Sequence, residues 1–550
     1  MLDLYEKTKI LTKRYKKLKN LLKVVYGYEN FRPKQYEIIN RIICGEDVCA
    51  VLSTGAGKSI CFQIPAIYLD KPAIIISPLI SLMNDQKLIL EELGLSTCCY
   101  NSNVSNKSQL RKEILQCKYK FVYITPESLV TSIMKDFLIE LDDLQGISLI
   151  AIDEAHCISS YGFDFRKSYR EITFFKEILP NIPILAATAT ATDIVCNDIC
   201  KVLNFKTPCI IKSSFDRPNL YLEIRHKGKN ISDDIVPLIK KYMDKSIIIY
   251  CLTKKETAKI AEILKSYHIK CNTYHAGMHD DDKTKSHHDF ITGKVKIIAA
   301  TIAFGMGINK SNVRVIIHYG APKNIEGYYQ EIGRAGRDGK KSYCYTFYNS
   351  RDFVIQEFFI ETGNNNTLYK KEQLKLLKIM KDYVTTQQCR RHILLEYFGD
   401  EPPEKCDFCD NCCGVNKENK QKIATTTQDV QKEAKMLIDL IDFFKKNFGI
   451  NMYINILRKS SNKNVTSIMR KSKFYGAGNH RSVAWWKEMC NNLIERGFLE
   501  QIGVKSGRFP IKVLRITKKG TTWANMIGLN GLLDNLGEYK MEPMKMLTNV

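Results

Sequence analysis

A glycine-rich segment after the apolar run Val48–Leu52 has residue types that bind phosphate. Glycines let backbone N–H groups turn inward around a phosphate, Lys58 can reach terminal phosphates, and the Ser59 hydroxyl can hold Mg²⁺. Leu52 stands where the strict pattern G-x-x-x-x-G-K-[ST] has its first glycine. The segment still predicts a nucleotide site. The other residues of the loop are Thr54, Gly55, Ala56 and Gly57.

Two adjacent carboxylates, Asp153 and Glu154, follow the apolar run Leu149–Ile152. Asp153 can hold Mg²⁺, and Glu154 can orient and deprotonate an attacking water. Paired acids at a strand end also serve as plain helix N-caps. Because they occur together with the Lys58 loop, a nucleotide hydrolase is favoured.

Two arginines three residues apart, Arg334 and Arg337, lie in the segment that begins at Gln330. This spacing puts them on one helical face. A guanidinium aimed at a cleft can neutralise charge on a γ-phosphate, an effect of about 10³–10⁵ in rate in other systems. Supplied from another domain, it would make hydrolysis depend on closure. Ordinary surface arginines are the alternative.

Four cysteines, Cys389, Cys406, Cys409 and Cys412, have C-x₁₆-C-x₂-C-x₂-C spacing. This spacing suits a tetrahedral Zn²⁺ site. The neighbouring Cys413 leaves a second ligand register open. The chain has 19 cysteines but neither a secretory signal nor an apolar run long enough to cross a membrane. We therefore expect a soluble, intracellular, reduced protein with no membrane partner.

Strand-like and helical stretches alternate from about residue 48 onward, and the pattern restarts at Ile247–Tyr250. Alternation of this kind predicts an α/β fold, here two tandem domains with parallel sheets covered on both faces. They join near Phe215–Leu220, where Arg217-Pro218-Asn219 breaks the periodicity. Leu368–Phe398 is predicted to be a helical pair. Helices followed by the strand-like runs Phe498–Val504 and Ile511–Ile516 predict a winged helix.

The chain is strongly basic, with 83 Lys and Arg against 59 Asp and Glu, a net charge of +24. Residues 451–525 hold fifteen Lys and Arg against three Glu, so half of the excess lies in one segment. Such an excess of positive charge usually binds a polyanion, either nucleic acid or lipid headgroups. A generally basic surface is the alternative. The basic stretch Lys7–Lys23 has the pattern of a solvated helix face.

Taken together, these blocks resemble the RecQ family of DNA helicases in superfamily 2, from about Val25 to about Thr522. The resemblance implies two RecA-like domains, a helical zinc-binding subdomain and a winged helix. It implies ATP hydrolysis with Mg²⁺, a structural Zn²⁺, and 3′ to 5′ movement on single-stranded DNA with unwinding at duplex junctions. DNA repair, recombination or replication would be the setting, and protein partners are not indicated.

The resemblance also assigns residues that the patterns alone do not. Tyr28 would stack on adenine, and Arg32 and Gln35 would hydrogen-bond to it. Gln330 joins the catalytic candidates. The loop Cys157–Tyr169 resembles an aromatic-rich loop that senses single-stranded DNA, although Tyr161 stands where Trp is usual and Phe163 where His is usual. Its candidate DNA contacts, through base stacking and charge, are Tyr161, Phe163, Phe165 and Arg166.

The expected domains are a basic N-terminal helix (1–24), RecA-like domains (25–215 and 216–350), a zinc-binding subdomain (351–414), a linker (415–429), a winged helix (430–525) and a tail (526–550). The tail is too short for the helical DNA-binding domain that many relatives carry, so we expect that domain to be absent. In the winged helix, Phe509 would lie near the hairpin tip and could stack on the last base pair; alternatively it folds into the wing's core.

Two other functions stay open at this point. The same motor motifs serve RNA helicases, so RNA is an alternative substrate. A non-catalytic zinc and winged-helix DNA-binding protein is an alternative of another class, although intact Lys58, Asp153, Glu154, Arg334 and Arg337 argue against it.

Overall fold

The computed structural model describes residues 2–159, 161–162, 166–305, 310–363, 367–414, 425–462, 464–506, 509–526 and 544–547. The chain forms two compact units, Met1–Val415 and Asn416–Val550. Each unit is described by itself.

The first α/β domain is built on a parallel sheet of seven strands in the order β3-β4-β2-β5-β6-β1-β7. Its five central strands are buried along their whole length, as expected for apolar strands covered by helices on both faces. The strands are β1 (Val48–Val51), β2 (Ala73–Ile76), β3 (Thr97–Tyr100), β4 (Phe121–Ile124), β5 (Leu149–Ile152), β6 (Ile184–Thr188) and β7 (Cys209–Lys212).

Helices cover this sheet, and the long basic helix α1 packs Leu18 and Leu22 against Ile39, Ile60 and Ile64. The exposed lysines of α1 lie opposite this apolar contact. The helices are α1 (Leu2–Tyr26), α2 (Gln35–Ile43), α3 (Ile60–Leu69), α4 (Ile80–Glu92), α5 (Lys107–Leu115), α6 (Pro126–Leu129), α7 (Ser132–Gln145), α8 (Lys167–Arg170), α9 (Phe175–Ile178) and α10 (Asp193–Val202), with 3₁₀ turns at Ala155–Ile158 and Glu171–Phe174.

The second α/β domain has a parallel sheet of six strands in the order β10-β11-β9-β12-β13-β8. The predicted fold of two parallel-sheet domains is thus confirmed. The strands are β8 (Leu220–His226), β9 (Ser246–Cys251), β10 (Asn272–Tyr274), β11 (Ile297–Ala300), β12 (Val313–Tyr319) and β13 (Ser342–Tyr348). The helices are α11 (Ile231–Lys241), α12 (Lys254–Ser266), α13 (Asp280–Ile291) and α14 (Ile325–Ile332).

Three helices complete the first unit: α15 (Ser350–Thr362), α16 (Thr367–Thr385) and α17 (Arg390–Phe398). The last two form the predicted helical pair. The cysteine-rich turn after them is fixed to edge strand β8, because Asp410 N donates to Leu222 O at 2.9 Å and Asp410 Oδ2 accepts from Ile224 N at 3.1 Å.

The second unit packs around Trp485 and Trp486, both fully buried. The predicted hairpin is present, and its strands run further toward the turn than the sequence indicated, with Ser506 paired to Phe509. The elements are α18 (Gln431–Phe444), α19 (Ile450–Leu457), α20 (Ser467–Arg470), α21 (Val483–Glu495), α22 (Lys518–Met526), β14 (Thr425–Gln428), β15 (Leu499–Ser506), β16 (Phe509–Ile516) and β17 (Met544–Leu547).

One difference from the sequence analysis lies at the ends of this unit. Thr425–Gln428, expected to be part of a linker, pairs antiparallel with Met544–Leu547, expected to be part of a tail. Three consecutive threonines favour an extended strand, and the Met544 side chain is fully buried in the core. These two short segments are therefore part of the folded unit.

Candidate nucleotide, zinc and nucleic-acid sites

A cavity of about 560 Å³ lies in the first unit, where β1 and β5 end. The carboxyl edge of a parallel sheet is where ligands bind in such folds. The cavity brings together nearly all of the residues predicted to bind or hydrolyse nucleotide. These lining residues are Tyr28, Arg32, Gln35, Thr54, Gly55, Gly57, Lys58, Ser59, Asp153, Glu154, Gln330, Arg334 and Arg337. Ala56 belongs to the loop but packs toward the core of the first domain.

The phosphate-binding loop, Ser53–Ser59, depends on its two glycines. Gly55 and Gly57 have φ of +86° and +80°, values that residues with a side chain rarely adopt. A Cβ at Gly57 would also lie 2.5 Å from Gln35 Nε2. Because helix α3 begins directly after Ser59, the loop leads into a helix N-terminus, whose dipole favours phosphate.

The segment predicted to recognise adenine holds this loop directly. Gln35 Nε2 donates to Ala56 O at 3.1 Å and to Gly57 O at 3.0 Å, while Gln35 Oε1 accepts from Arg32 N at 2.8 Å. The Arg32 guanidinium donates to Gly55 O. In this structure the polar groups of Gln35 therefore bind the phosphate loop. Tyr28, 54% exposed, leaves a ring face open in the cavity wall.

The carboxylate pair is buried at the end of β5. Burial and the charge of Glu154 raise the pKa of Asp153 to about 6. Burial alone would raise the pKa of Glu154 as well, but His156 and Lys58 outweigh it and lower that pKa to about 2. Two crowded carboxylates in a cavity that Ser59 also lines suit a divalent cation, which would relieve their repulsion. The donor set fits Mg²⁺.

Glu154 is held in an unusual backbone conformation. Its φ of +51° lies in the left-handed region, which costs of order 1 kcal/mol or more in a residue with a side chain and clusters at functional sites. Glu154 Oε2 lies 3.3 Å from His156 Nδ1, and the same nitrogen lies 2.9 Å from Thr188 Oγ1. These contacts aim the carboxylate into the cavity.

The second domain contributes three side chains to the cavity. Gln330 Nε2 donates to Glu154 Oε1 at 3.4 Å. Arg334 is 4% exposed, and its Nε has no hydrogen-bond partner among the residues that the structure describes. Burial, followed by the charges of Arg334 and Arg217, lowers the pKa of Arg337 to about 9. Buried arginines beside a phosphate loop are suited to a polyanionic ligand.

Several lining residues were missed by the sequence analysis. Leu82, Gln86 and Ile89 recur at helical spacing on one face of α4, a signal that could have placed that face toward a ligand or the core. Ser311 follows a segment of which residues 306–309 lie outside the described part of the chain. The remaining missed residues are Tyr26, Asn30, Gln63 and Ala189.

The four predicted zinc ligands converge, with the Sγ atoms of Cys389, Cys406, Cys409 and Cys412 all within 4.8 Å of one another. Tetrahedral Zn²⁺ with Zn–S bonds of about 2.3 Å needs sulfurs about this close. A hydrogen bond from the Cys406 thiol lowers the pKa of Cys409 and raises the pKa of Cys406, so the two sulfurs share a proton that a bound metal ion would replace.

The second ligand register fails on geometry. Cys413 is exposed, and its Sγ contacts Asp407 O at 3.4 Å, outside the sulfur cluster. The cluster is supported by a buried ion pair in which Arg390 Nε lies 2.9 Å from Asp410 Oδ1. Sequence reasoning missed this pair because each partner looks like an ordinary surface charge.

The structure describes only some of the residues that are predicted to contact nucleic acid. Tyr161 is 50% exposed, and Arg166 Nη1 donates to Pro78 O at 3.2 Å, so the loop is tied to the segment that follows β2. Phe163 and Phe165 lie outside the described residues. The backbone of Phe509 is described as the first residue of β16, but its side chain is not.

The winged-helix unit carries a set of exposed cations. Arg481 is engaged internally, because its Nη2 lies 2.6 Å from Glu433 Oε1 and its guanidinium lies 4.4 Å from the Trp485 ring. The exposed cations suit contacts to a phosphate backbone. They are Lys459, Arg470, Lys471, Lys473, Lys487, Arg515 and Lys518.

Family models match four consecutive parts of the chain. Residues 32–199 match the DEAD/DEAH box helicase model and residues 230–339 the helicase conserved C-terminal domain. Residues 350–413 match the RecQ zinc-binding model and residues 424–526 the RQC domain. The ATP-dependent DNA helicase RecQ of Bacillus subtilis is 38% identical, over 91% of this chain and 82% of that one. The chain belongs to the RecQ family of ATP-dependent helicases.

Other relatives agree with this family. A putative ATP-dependent RNA helicase of Acanthamoeba polyphaga mimivirus is 65% identical over the whole of both chains. The bifunctional 3′-5′ exonuclease/ATP-dependent helicase WRN of Mus musculus is 38% identical over 92% of this chain and 37% of its own length. ATP, Mg²⁺ and Zn²⁺ are thus the ligands of this RecQ-family enzyme, and the non-catalytic alternative is wrong.

Solved structures agree on the fold. Saccharomyces cerevisiae Dbp5 bound to RNA and ADP BeF3 matches with a TM-score of 0.50 and 19% identity, over 65% of this chain and 97% of that one. Such a likeness shows the fold alone. Among the described residues, no helix of this RecQ-family chain is both long and apolar enough to cross a bilayer.

Proposed function

We propose that this RecQ-family enzyme is a DNA helicase that moves 3′ to 5′ on single-stranded DNA and unwinds duplex junctions in DNA repair, recombination or replication. The observation that carries the proposal is the match of residues 424–526 to the RQC domain, in a unit with exposed cations. Lysines and arginines on a winged helix bind phosphates without reading sequence. The 3′ to 5′ polarity follows from the family resemblance.

The proposed mechanism uses both α/β domains. Lys58 binds the terminal phosphates, and Glu154 deprotonates the attacking water. Asp153 and Ser59 would hold Mg²⁺, which would supply positive charge to the phosphates. Arg334 and Arg337 neutralise the charge that develops on the γ-phosphate. Because these arginines and the acids come from different domains, hydrolysis requires the two domains to be in contact, as they are in this structure.

RNA is the second candidate substrate, favoured because the mimiviral relative, which is 65% identical, is named a putative ATP-dependent RNA helicase. ATP hydrolysis measured with single-stranded DNA, with RNA and with neither separates the two. Stimulation by DNA alone supports the proposal, and stimulation by RNA alone overturns it. Unwinding of duplexes with a 3′ or a 5′ single-stranded tail tests polarity, since a preference for the 5′ tail would reverse it. Glu154→Gln is the inactive control.

A further inference from the structure

The segment between β7 and β8 contacts three parts of the enzyme through the Arg217 side chain and the residues next to it. The Arg217 guanidinium donates four hydrogen bonds, all to main-chain carbonyls. Nη1 donates to Thr54 O at 3.1 Å and to Gly333 O at 3.2 Å, and Nη2 to Ala335 O at 2.8 Å and to Gly336 O at 2.9 Å. Arg217 thus joins the phosphate loop to residues 333–338, the turn that carries Arg334 and Arg337, hereafter the arginine turn.

The phosphate loop and the arginine turn are in close contact at this point. A Cβ at Gly333 would lie 2.9 Å from Thr54 Cβ, and a Cβ at Gly336 would lie 2.4 Å from Asn219 Nδ2. Asn219 Nδ2 itself donates to Gly336 O at 2.9 Å. Gly333 thus packs directly on Thr54, and the hydrogen bonds of Arg217 hold the two segments in this relative position.

The four carbonyl oxygens that accept from the Arg217 guanidinium are neutral, so no carboxylate cancels its charge at these contacts. Burial lowers the pKa of Arg217. Its charge also contributes to lowering the pKa of Arg337. The arginine turn therefore lies in a positive field that an entering polyphosphate would offset.

The helix that begins after the zinc ligand Cys389 holds the same segment from the other side. Arg391 Nη1 donates to Asp216 Oδ1 at 2.8 Å and to Arg217 O at 2.5 Å. The Phe215 ring stacks on Phe398, with centroids 4.4 Å apart and planes 7° apart. Helix α17 thus fixes the backbone from which the Arg217 side chain extends.

We propose that Arg217 is a positioning residue for ATP hydrolysis, which holds the arginine turn against the phosphate loop, and that Arg391 of the zinc-binding part keeps Arg217 in place. The inference rests on the proposed role of Arg337. A lysine could not replace Arg217. The four carbonyl oxygens, which lie on two segments, match the planar fork of donors on a guanidinium, whereas a lysine carries all of its donors on one ammonium nitrogen.

The test uses Arg217→Lys in the full chain, which keeps the positive charge. We expect kcat for ATP hydrolysis with saturating single-stranded DNA to fall at least about tenfold, while the Kd of a fluorescent ATP analogue stays within about threefold. The matched control is Arg225→Lys on β8, whose partner is Glu223 at 2.6 Å, outside the cavity. A kcat within twofold of wild type, or a loss of affinity as large as the loss of kcat, would overturn the positioning role.

Arg391→Lys tests the same proposal without touching the loop or the turn, and it carries the test if Arg217→Lys does not fold. It should lower kcat with little change in Kd, and the double variant should be no worse than Arg217→Lys, because coupled residues are not additive. An unchanged kcat in Arg391→Lys, or losses that multiply, would refute the link to α17. Arg337→Ala is measured in parallel: normal turnover there refutes the proposed role of Arg337 itself, whatever the outcome for Arg217.

Discussion

Gln330 Nε2 donates a 3.4 Å hydrogen bond to Glu154 Oε1, across the cleft between the two α/β domains. The residues are 176 positions apart in sequence. The acceptor is the carboxylate proposed to deprotonate the attacking water. A side chain of the second domain therefore contacts the proposed reacting group of the first.

The first prediction concerns this contact. Gln330→Ala should lower kcat for DNA-stimulated ATP hydrolysis by about tenfold or more, because a misplaced general base loses much of a contribution of 10²–10⁴. The KM for ATP should change little, since Gln330 is expected to help position the attacking water and not to bind the adenine of ATP. Gln109→Ala, at an exposed position where the side chain donates to Glu113 Oε1 at 3.1 Å, is the control. An unchanged kcat in Gln330→Ala would remove it from the site.

The second prediction is that Lys58→Ala and Glu154→Gln abolish ATP hydrolysis while DNA binding stays largely intact. Lys58 and Glu154 both line the nucleotide cavity, and the exposed cations of the winged helix are separate residues. Turnover and the Kd for single-stranded DNA are measured side by side. Substantial hydrolysis in either variant would refute the site assignment.

The third prediction separates binding from turnover at the arginine turn. Arg337→Ala should keep nucleotide affinity but lose about 10³-fold in turnover, because its contact matters mainly to charge in the transition state. Equilibrium binding of an ATP analogue and single-turnover hydrolysis are the measurements. Weakened affinity with normal turnover would assign Arg337 to ground-state binding instead.

Much of this site could be predicted from the sequence, since its key residues directly follow apolar strands. Strands β1 and β5 are short runs of buried aliphatic residues, so their ends place Lys58 and Asp153 at one sheet edge. Contacts between distant side chains left no local signal. Arg217 bonds to Gly333, 116 residues away, and neither position stands out by periodicity, so the sequence analysis treated Arg217 only as a break between domains.

Other contacts between residues that are distant in sequence were likewise not predictable from local patterns. Gln35 is predicted to hydrogen-bond to adenine, and its amide also binds the phosphate loop, a contact that is visible only once α2 and α3 are packed. The polar composition of Thr425–Gln428 indicated a linker, and its partner strand lies more than a hundred residues away, where it leaves no local signal. Polar composition alone does not distinguish a linker from the edge of a small sheet.

The fourth prediction is one tightly bound zinc per chain. Zinc binding in such modules supplies about 10–16 kcal/mol of folding free energy, so Cys406→Ser should yield poorly folded protein without metal. Cys413→Ser is the matched control and should be mild, because its sulfur lies outside the cluster. Metal analysis and thermal unfolding are the measurements. Zinc-free wild-type protein, or severe instability of Cys413→Ser, would mean that the ligand set is wrong.

The last prediction concerns strand separation by the hairpin of β15 and β16. Its strands stay paired up to Ser506 and Phe509, so Phe509 begins the returning strand next to the turn. An aromatic ring there can replace base stacking worth about 1–3 kcal/mol per base, and a translocating motor would push the duplex against it. Whether the ring stacks on DNA or packs into the wing determines the outcome.

Phe509→Ala should therefore reduce unwinding of a tailed duplex severalfold, while ATP hydrolysis stimulated by single-stranded DNA stays near wild type. Val504→Ala is the control, because Val504 is 42% exposed on the opposite strand and pairs with Ile511, further from the turn. It should change neither activity. A ring packed in the wing predicts instead a lower melting temperature for Phe509→Ala, with both activities lost together. That result, or two unchanged activities, would exclude the hairpin as the separating element.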